Sequence, residues 1–432
     1  LRSAHGALLV LFVLIGALLP APSRAEEYTF DVSEFEKKPY EIGGYLEAGP
    51  AVMGFDSGSA LYKLRFRGGD EAYEYTAGVL LDGSFEEGMV AFFVEVDASI
   101  ADSTAGPYSR AAEIFEGYMR LAPSEALSLY FGKRALRWGK GYAWNPVGFV
   151  ERPKDTNDPN LAREGFVMLA GDYTMSFGGP LRTLSLSPVL LPIHEDINDE
   201  FGGADGLNFA GKVYLLLYDT DIDLLFLTGK SRPDRYGVDF SMNITTNLEI
   251  HGEFAYIKGF GRKSMDAAGN VSGQLFDAKS YLLGARYLTS SDTTYILEYY
   301  RNGTGFETDD MRDFFSFVDA AYDKYLLTGD ESLLGKADSL SNSYIRQNPM
   351  RDYLYLRVSR KEPFDVLYLT PAITGILNLH DSSCSLSPEV TYTGITDLEL
   401  RFKAVYLAGE RESEYGEKFN DYMVEFRARY YF

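Results

Sequence analysis

Between positions 132 and 163 the sequence gathers most of its chemistry-bearing side chains. Lys133, Arg134, Arg137, Lys140, Arg152 and Lys154 are interleaved with Tyr142 and with both tryptophans of the chain, Trp138 and Trp144. Cations on one loop beside a narrow aqueous path concentrate anions and repel cations. Trp138 and Tyr142 offer ring faces on which a sugar or aromatic solute stacks. A plainer reading carries equal weight: the same cations pair with Asp155, Asp158 and Glu164 and hold the loop's shape.

Catalytic chemistry finds little footing. Beyond His5, the histidines are His194, His251 and His380, and none stands in H-E-x-x-H spacing. His251, between Glu249 and Glu253, reads as a proton relay or, more simply, as a hydrogen-bonded histidine. His194-Glu195-Asp196 opens a loop that also holds Asp199, Glu200 and Asp205, a set of oxygen ligands for calcium or, more often, a solvated acidic surface. No G-x-S-x-G elbow or P-loop is present, and Gly303-Thr304-Gly305 is a turn without the helix that phosphate binding needs. The expectation is a protein that is not an enzyme and carries no cofactor or metal.

The chain has 432 residues, 41 Lys and Arg against 63 Asp and Glu, and a formal charge of -22, which argues against nucleic acid as partner. The 42 glycines, 32 tyrosines and 29 phenylalanines beside 2 tryptophans favour strands and tight turns. The single cysteine, Cys384, excludes an internal disulfide framework, a Cys-rich zinc site and haem attachment through C-x-x-C-H. Residues 1–25 read as a secretory signal: Arg2, the apolar run Ala7–Pro20, then Ser23-Arg24-Ala25. Residues 26–40 read as a periplasmic N-terminal segment.

Past Glu26 the dominant pattern is alternation. Tyr422, Val424, Phe426, Ala428, Tyr430 and Phe432 share one face of the last segment, and Met423, Glu425, Arg427, Arg429 and Tyr431 the other. Leu398, Leu400, Phe402 and Tyr406 likewise oppose Glu399, Arg401 and Lys403. Segments of this kind match the length a tilted membrane strand needs and exceed ordinary soluble strands. Facing lipid outward and water inward, they predict an antiparallel up-and-down barrel over 41–432. Tight turns (84–88, 122–125, 177–180, 218–221, 245–247, 289–292, 361–365, 394–397) alternate with longer stretches (54–70, 101–109, 137–163, 192–206, 231–235, 259–276, 303–349, 378–383, 410–419). The count is about 18 strands, or 16 if one hairpin is misjudged, because Leu61–Gly68 reads either as a strand or as part of the first loop. Loop 137–163 is expected to fold inward. Loop 303–349 should carry an amphipathic helix, because Phe314, Phe315, Phe317, Val318, Ala321, Tyr322, Tyr325 and Leu326 follow a spacing near 3.6.

On this pattern Arg357, Arg401, Lys403, Arg427 and Arg429 line the lumen near the closing seam. Glu47, Glu74, Glu95, Asp97, Glu116 and Asp172 line it on the early strands. Opposed charges of this kind set a transverse field across a wet pore; the plain alternative is paired charge that keeps the lumen polar. Aromatic girdles are expected from Tyr73, Tyr75, Tyr422, Tyr430 and Phe432.

The closing MVEFRARYYF resembles the C-terminal assembly signal of bacterial outer-membrane β-barrel proteins, with Tyr430 and Phe432 carrying the match. Within that class the run Gly132-Lys133-Arg134, Arg137-Trp138-Gly139-Lys140-Gly141-Tyr142, Asn145-Pro146 and Glu151–Asp155 is similar to a strand-plus-inward-loop element of porin-like and alginate-export-type barrels. The resemblance implies outer-membrane lipid and the barrel assembly machinery as partners. It also implies a channel for small polar or anionic solutes, or export of an acidic polysaccharide. The alternatives are a barrel sheathing a periplasmic partner such as a multihaem cytochrome, docked by 26–40, and an outer-membrane hydrolase, which would need a serine paired with His251 or His380.

Overall fold

The structure is a computed structural model that describes residues 38–65 and 68–432. The expected signal 1–25 and most of the segment 26–40 lie outside the described residues. Among the described residues eighteen strands run in chain order: β1 Tyr40–Phe55, β2 Glu71–Glu87, β3 Val90–Ser103, β4 Ser109–Ser124, β5 Leu127–Arg134, β6 Phe166–Ser176, β7 Leu181–Ile193, β8 Gly206–Leu217 and β9 Thr220–Thr228 come first. Then follow β10 Arg235–Thr245, β11 Leu248–Met265, β12 Val271–Leu288, β13 Thr293–Arg301, β14 Asp352–Arg360, β15 Leu369–Asn378, β16 Cys384–Ile395, β17 Leu398–Ala408 and β18 Asn420–Tyr431. Each strand pairs with its sequence neighbours, and β1 pairs antiparallel with both β2 and β18, so the sheet closes on itself with no free edge. Closure leaves every strand paired on both sides, as a lipid environment demands.

The period of two decides which way each strand faces. Across the β17–β18 seam, Phe402 opposes Phe426 and Tyr406 opposes Tyr422, all exposed on the outside. One residue along, Arg401 opposes Arg427 and Lys403 opposes Glu425 on the inside. Phe254, Leu283, Leu297, Leu356 and Leu386 continue the exposed apolar belt. Such a belt around a polar interior suits hydrocarbon, not water. Among the described residues no helix is long and apolar enough to cross a membrane.

One rim carries the short turns. Tyr218 and Asp219 join β8 to β9 with φ of 48° and 57°, the primed turn that matches strand twist. The other rim carries the long connections. Of the two readings of Leu61–Gly68, the loop one holds for its described residues: Ala60–Arg65 forms helix α1, packed by buried Leu61 and Leu64 under the helices of the β13–β14 connection. Two other connections depart from the sequence reading. The stretch 259–276 is a paired hairpin, because β11 and β12 keep their ladder to Met265 and Val271 beyond the apolar belt. Its polar side chains hid the strands. Likewise β3 and β4 run on to Ser103 and from Ser109, leaving a shorter loop than 101–109.

The β13–β14 connection holds two helices, α2 Thr308–Thr328 and α3 Ser332–Ile345. A capping box between Glu307 and Asp310 starts α2, and Gly329 at φ 70° ends it with its N–H on the Tyr325 carbonyl. Phe314, Phe315, Val318, Leu334 and Tyr344 bury the facing sides against Met350, Tyr353 and Trp144. Lys63 on α1 reaches Asp319 at 2.6 Å, tying this cap across the loop rim.

Candidate functional site

The β5–β6 connection, residues 135–165, lies against the inner wall. Its backbone is held there by two buried wall glutamates. Glu253 on β11 accepts the N–H groups of Lys140 and Gly141, both at 2.6 Å, and that of Val147 at 3.2 Å. Glu298 on β13 accepts those of Tyr142 and of Ala143, the latter at 2.9 Å, and shares a hydrogen bond of 2.9 Å with His251 Nε2. So close an approach needs glycine. A Cβ at Gly139, whose φ is +93°, would stand 2.7 Å from the Glu253 carboxylate, and one at Gly141 would stand 2.2 Å from the Trp144 carbonyl. A third buried carboxylate, Glu151, accepts from the Trp138 N–H, from Asn145 at 2.9 Å and from Arg163 at 3.0 Å. Trp138, Val147, Phe149 and Val150 bury themselves against Phe166, Leu191, Phe201 and Leu227 of the wall and its connections.

The loop's tip, 155–161, crosses to the seam strands. Asp158 receives Arg401 at 2.6 Å and lies 3.6 Å from Arg427, while Lys403 donates to the Asn157 carbonyl at 2.8 Å. Burial alone would push the Asp158 carboxyl up, but the Arg401 and Arg427 guanidiniums outweigh it and hold it below the usual range. Two cavities, a mixed one of about 610 Å³ and a mostly polar one of about 320 Å³, flank the tip and share Asn157, Asp158, Leu161, Arg401 and Arg427. The smaller is also lined by Tyr45, Tyr142, Arg357 and Arg429. On early strands an acidic row stands in register, Asp82 on β2 opposite Glu95 on β3 and Glu95 opposite Glu116 on β4.

No protein-family model and no curated protein matches the chain. Solved structures do. The outer membrane protein OprD from Pseudomonas aeruginosa superposes at a TM-score of 0.50 with 13% identity, over 91% of this chain and 94% of that one. The fold is that of the outer-membrane porins. OccAB1 of Acinetobacter baumannii gives a TM-score of 0.52 at 13% identity, over 90% of this chain and 95% of its own. OccK2 (OpdF) of P. aeruginosa, solved in complex with glucuronate, gives 0.52 at 12%, over 91% and 97%.

Within this porin fold the basic residues of the 132–163 segment fare unequally. Lys133 and Arg134 belong to β5 and not to the loop. Lys133 pairs with Glu164; Arg134 sits over the Tyr130 ring at 3.6 Å and 3.8 Å from Asp172. Arg152 pairs with Glu164 and Glu200, and Lys140 reaches Asp223 on β9 at 3.1 Å. Lys154 donates to the Gly141 and Tyr142 carbonyls. Arg137 differs: it is exposed and makes no hydrogen bond or ion pair among the described residues. Of the partners the plainer reading named, Glu164 takes Lys133 and Arg152, but Asp158 goes to Arg401 and Arg427 on the seam and the remaining counter-charges come from Asp172, Glu200 and Asp223 on other strands and connections.

Trp138 must be corrected as a stacking surface. It is 4% exposed in the wall cluster and offers no face to a solute. Tyr142 does line the smaller cavity. Trp144 stacks on Tyr300 at 5.1 Å and donates to Asn348 at 3.1 Å, joining the loop to the cap. On the seam, Arg357 pairs with Glu389, Arg427 lies 3.3 Å from Glu399, and Arg429 lies 2.7 Å from Glu47, so the basic ladder carries its own counter-charges. Glu95 and Asp97 have no basic partner within ion-pair distance among the described residues. Tyr430 and Phe432 close the chain at the seam, where Tyr430 opposes Leu46 and Leu398. The acids of 192–206 do not converge: among the described residues no group of three His, Cys, Asp or Glu could hold a metal. Sequence reasoning missed Glu298 and gave Glu253 no part in holding the loop. The available signal was the pair Gly139 and Gly141 around Lys140, which marks backbone pressed against something.

Burial raises the Glu151 carboxyl to about 7, outweighing Arg163 and the Trp138 N–H. A released loop would return it to the ordinary carboxylate value, so the docked state binds the proton more tightly. Docking is therefore strongest below that ordinary value and weakens as pH rises from there towards 7. Current noise from loop motion should grow over this window in planar bilayers. Glu151→Gln should flatten the dependence, and unchanged pH dependence in that variant would remove Glu151 as its source.

Proposed function

We propose that this barrel is a passive outer-membrane channel for small polar solutes, anionic ones included, with its short turns in the periplasm. The observation carrying the reading is the inward loop whose tip meets the basic seam, leaving cavities on both sides, the smaller of them polar and lined by arginines. Water-filled lumens narrowed by charged side chains select by size and field. OccK2, of the same fold, was solved with glucuronate; a carboxylate of that size fits the chemistry of the arginine-lined cavity here. The lumen is also occupied on one side by the docked loop, which disfavours threading a haem protein or a bulky polymer through it. The histidines weighed for hydrolysis are tied to wall carboxylates, His251 to Glu298 and His380 to Asp352 at 2.6 Å.

Reconstituted in planar bilayers, the protein should give stable single-channel currents. Arg137→Glu should move the reversal potential in a salt gradient towards cation preference, because this exposed charge makes no ion pair among the described residues. A barrel that stays silent in the bilayer would defeat the proposal.

A further inference from the structure

On the outer face, glycines fall into one cross-strand row. Ile42 on β1 opposes Gly83 on β2, Gly83 opposes Val94 on β3, and Val94 opposes Gly117 on β4. The next row towards the short-turn rim is bulky: Phe85 opposes Phe92, Phe92 opposes Met119, and Met119 opposes Phe131 of β5. The row on the other side is again bulky, with Leu81 opposite Val96 and Val96 opposite Ile114. Missing side chains between two full rows make a groove of about 620 Å³. A Cβ at Gly83 would meet nothing nearer than Val94 Cγ1 at 3.4 Å, so any longer side chain there would enter the groove.

We propose that this groove binds one acyl chain of a phospholipid from the leaflet on the short-turn side. The assignment rests on the lipid-facing reading of the outer belt and on the placement of the short turns. Three features favour an acyl chain. The groove is continuous with the apolar belt, and its outward side chains are apolar. Crossing from β1 to β4 at about 4.8 Å per strand gives a run of about 14 Å, most of the length of a fatty acyl tail. At the rim end, exposed Tyr40 supplies a hydroxyl for a headgroup phosphate. Glu41 also borders the groove, but by alternation it turns inward.

The test is native mass spectrometry of the full barrel after exchange into detergent containing dioleoylphosphatidylethanolamine. Wild type should retain one lipid per barrel; Gly83→Leu with Gly117→Leu should retain none, while keeping the heat-dependent gel shift of a folded barrel. If the double variant does not fold, Gly83→Leu alone, placed where there is room, should give at least a tenfold loss of the lipid-bound species. A wild type without lipid, a filled groove that still retains it, or a dimer of barrels abolished by the same substitutions would each overturn the assignment, the last giving the groove to a second copy. Conductance of the same preparations is a separate readout, so failure of the lipid site and failure of the channel reading are distinguishable.

Discussion

Replacing Asp158 with alanine should raise single-channel conductance several-fold and turn ion preference towards anions. The carboxylate joins the loop's tip to Arg401 at 2.6 Å and lies 3.6 Å from Arg427. A charge-assisted hydrogen bond of this kind contributes roughly 1.5–3 kcal/mol, and Lys403 on the Asn157 carbonyl is left to hold the tip. Losing the bond frees the tip from the seam. Losing the charge leaves Arg401 with Glu425, and Arg427 with Glu399 and Glu47, as counter-charges. Asp158→Asn separates the two effects, since an amide oxygen still accepts from Arg401 but neutralises nothing. Selectivity should then shift with little change in conductance. Currents identical to wild type in both variants would show that the tip does not narrow the path.

Glu253→Ala should release the whole loop. Its carboxylate, on a residue only 4% exposed, takes the N–H groups of Lys140, Gly141 and Val147. Leaving a buried donor unsatisfied costs roughly 1–3 kcal/mol each, so three together exceed what the Lys140 ion pair with Asp223 returns. Trypsin should then cut the folded barrel at Lys140, Arg152 or Lys154, sites the wild type protects, and the thermal transition should fall. Glu253→Gln, which can accept but carries an amide donor into the same pocket, should be intermediate. Protection equal to wild type in the alanine variant would assign loop docking to the Trp138 cluster instead.

Both predictions turn on contacts that the sequence hides, and the reason is distance along the chain. Arg401 and Asp158 read as a lumen charge and a loop charge; nothing in their local spacing couples them. The helix over Phe314–Leu326 is visible because its 3.6 spacing is local, yet its packing on α1 through Lys63 and Asp319 is not. The hairpin ends at 259–276 escape notice because strands beyond the lipid belt lose the apolar half of their alternation while their backbone ladder continues.

What the sequence by itself determines here is the barrel: alternating faces need one apolar and one aqueous side, and alternating turn lengths need two unlike rims. The tertiary structure alone decides which charges act on a solute. Pairing depends on carboxylates brought by remote strands, which neutralise Lys140 and Arg401 and leave Arg137 exposed. It also decides that Trp138 is core, because burial depends on what packs over a ring, and that is set by the closed wall around it.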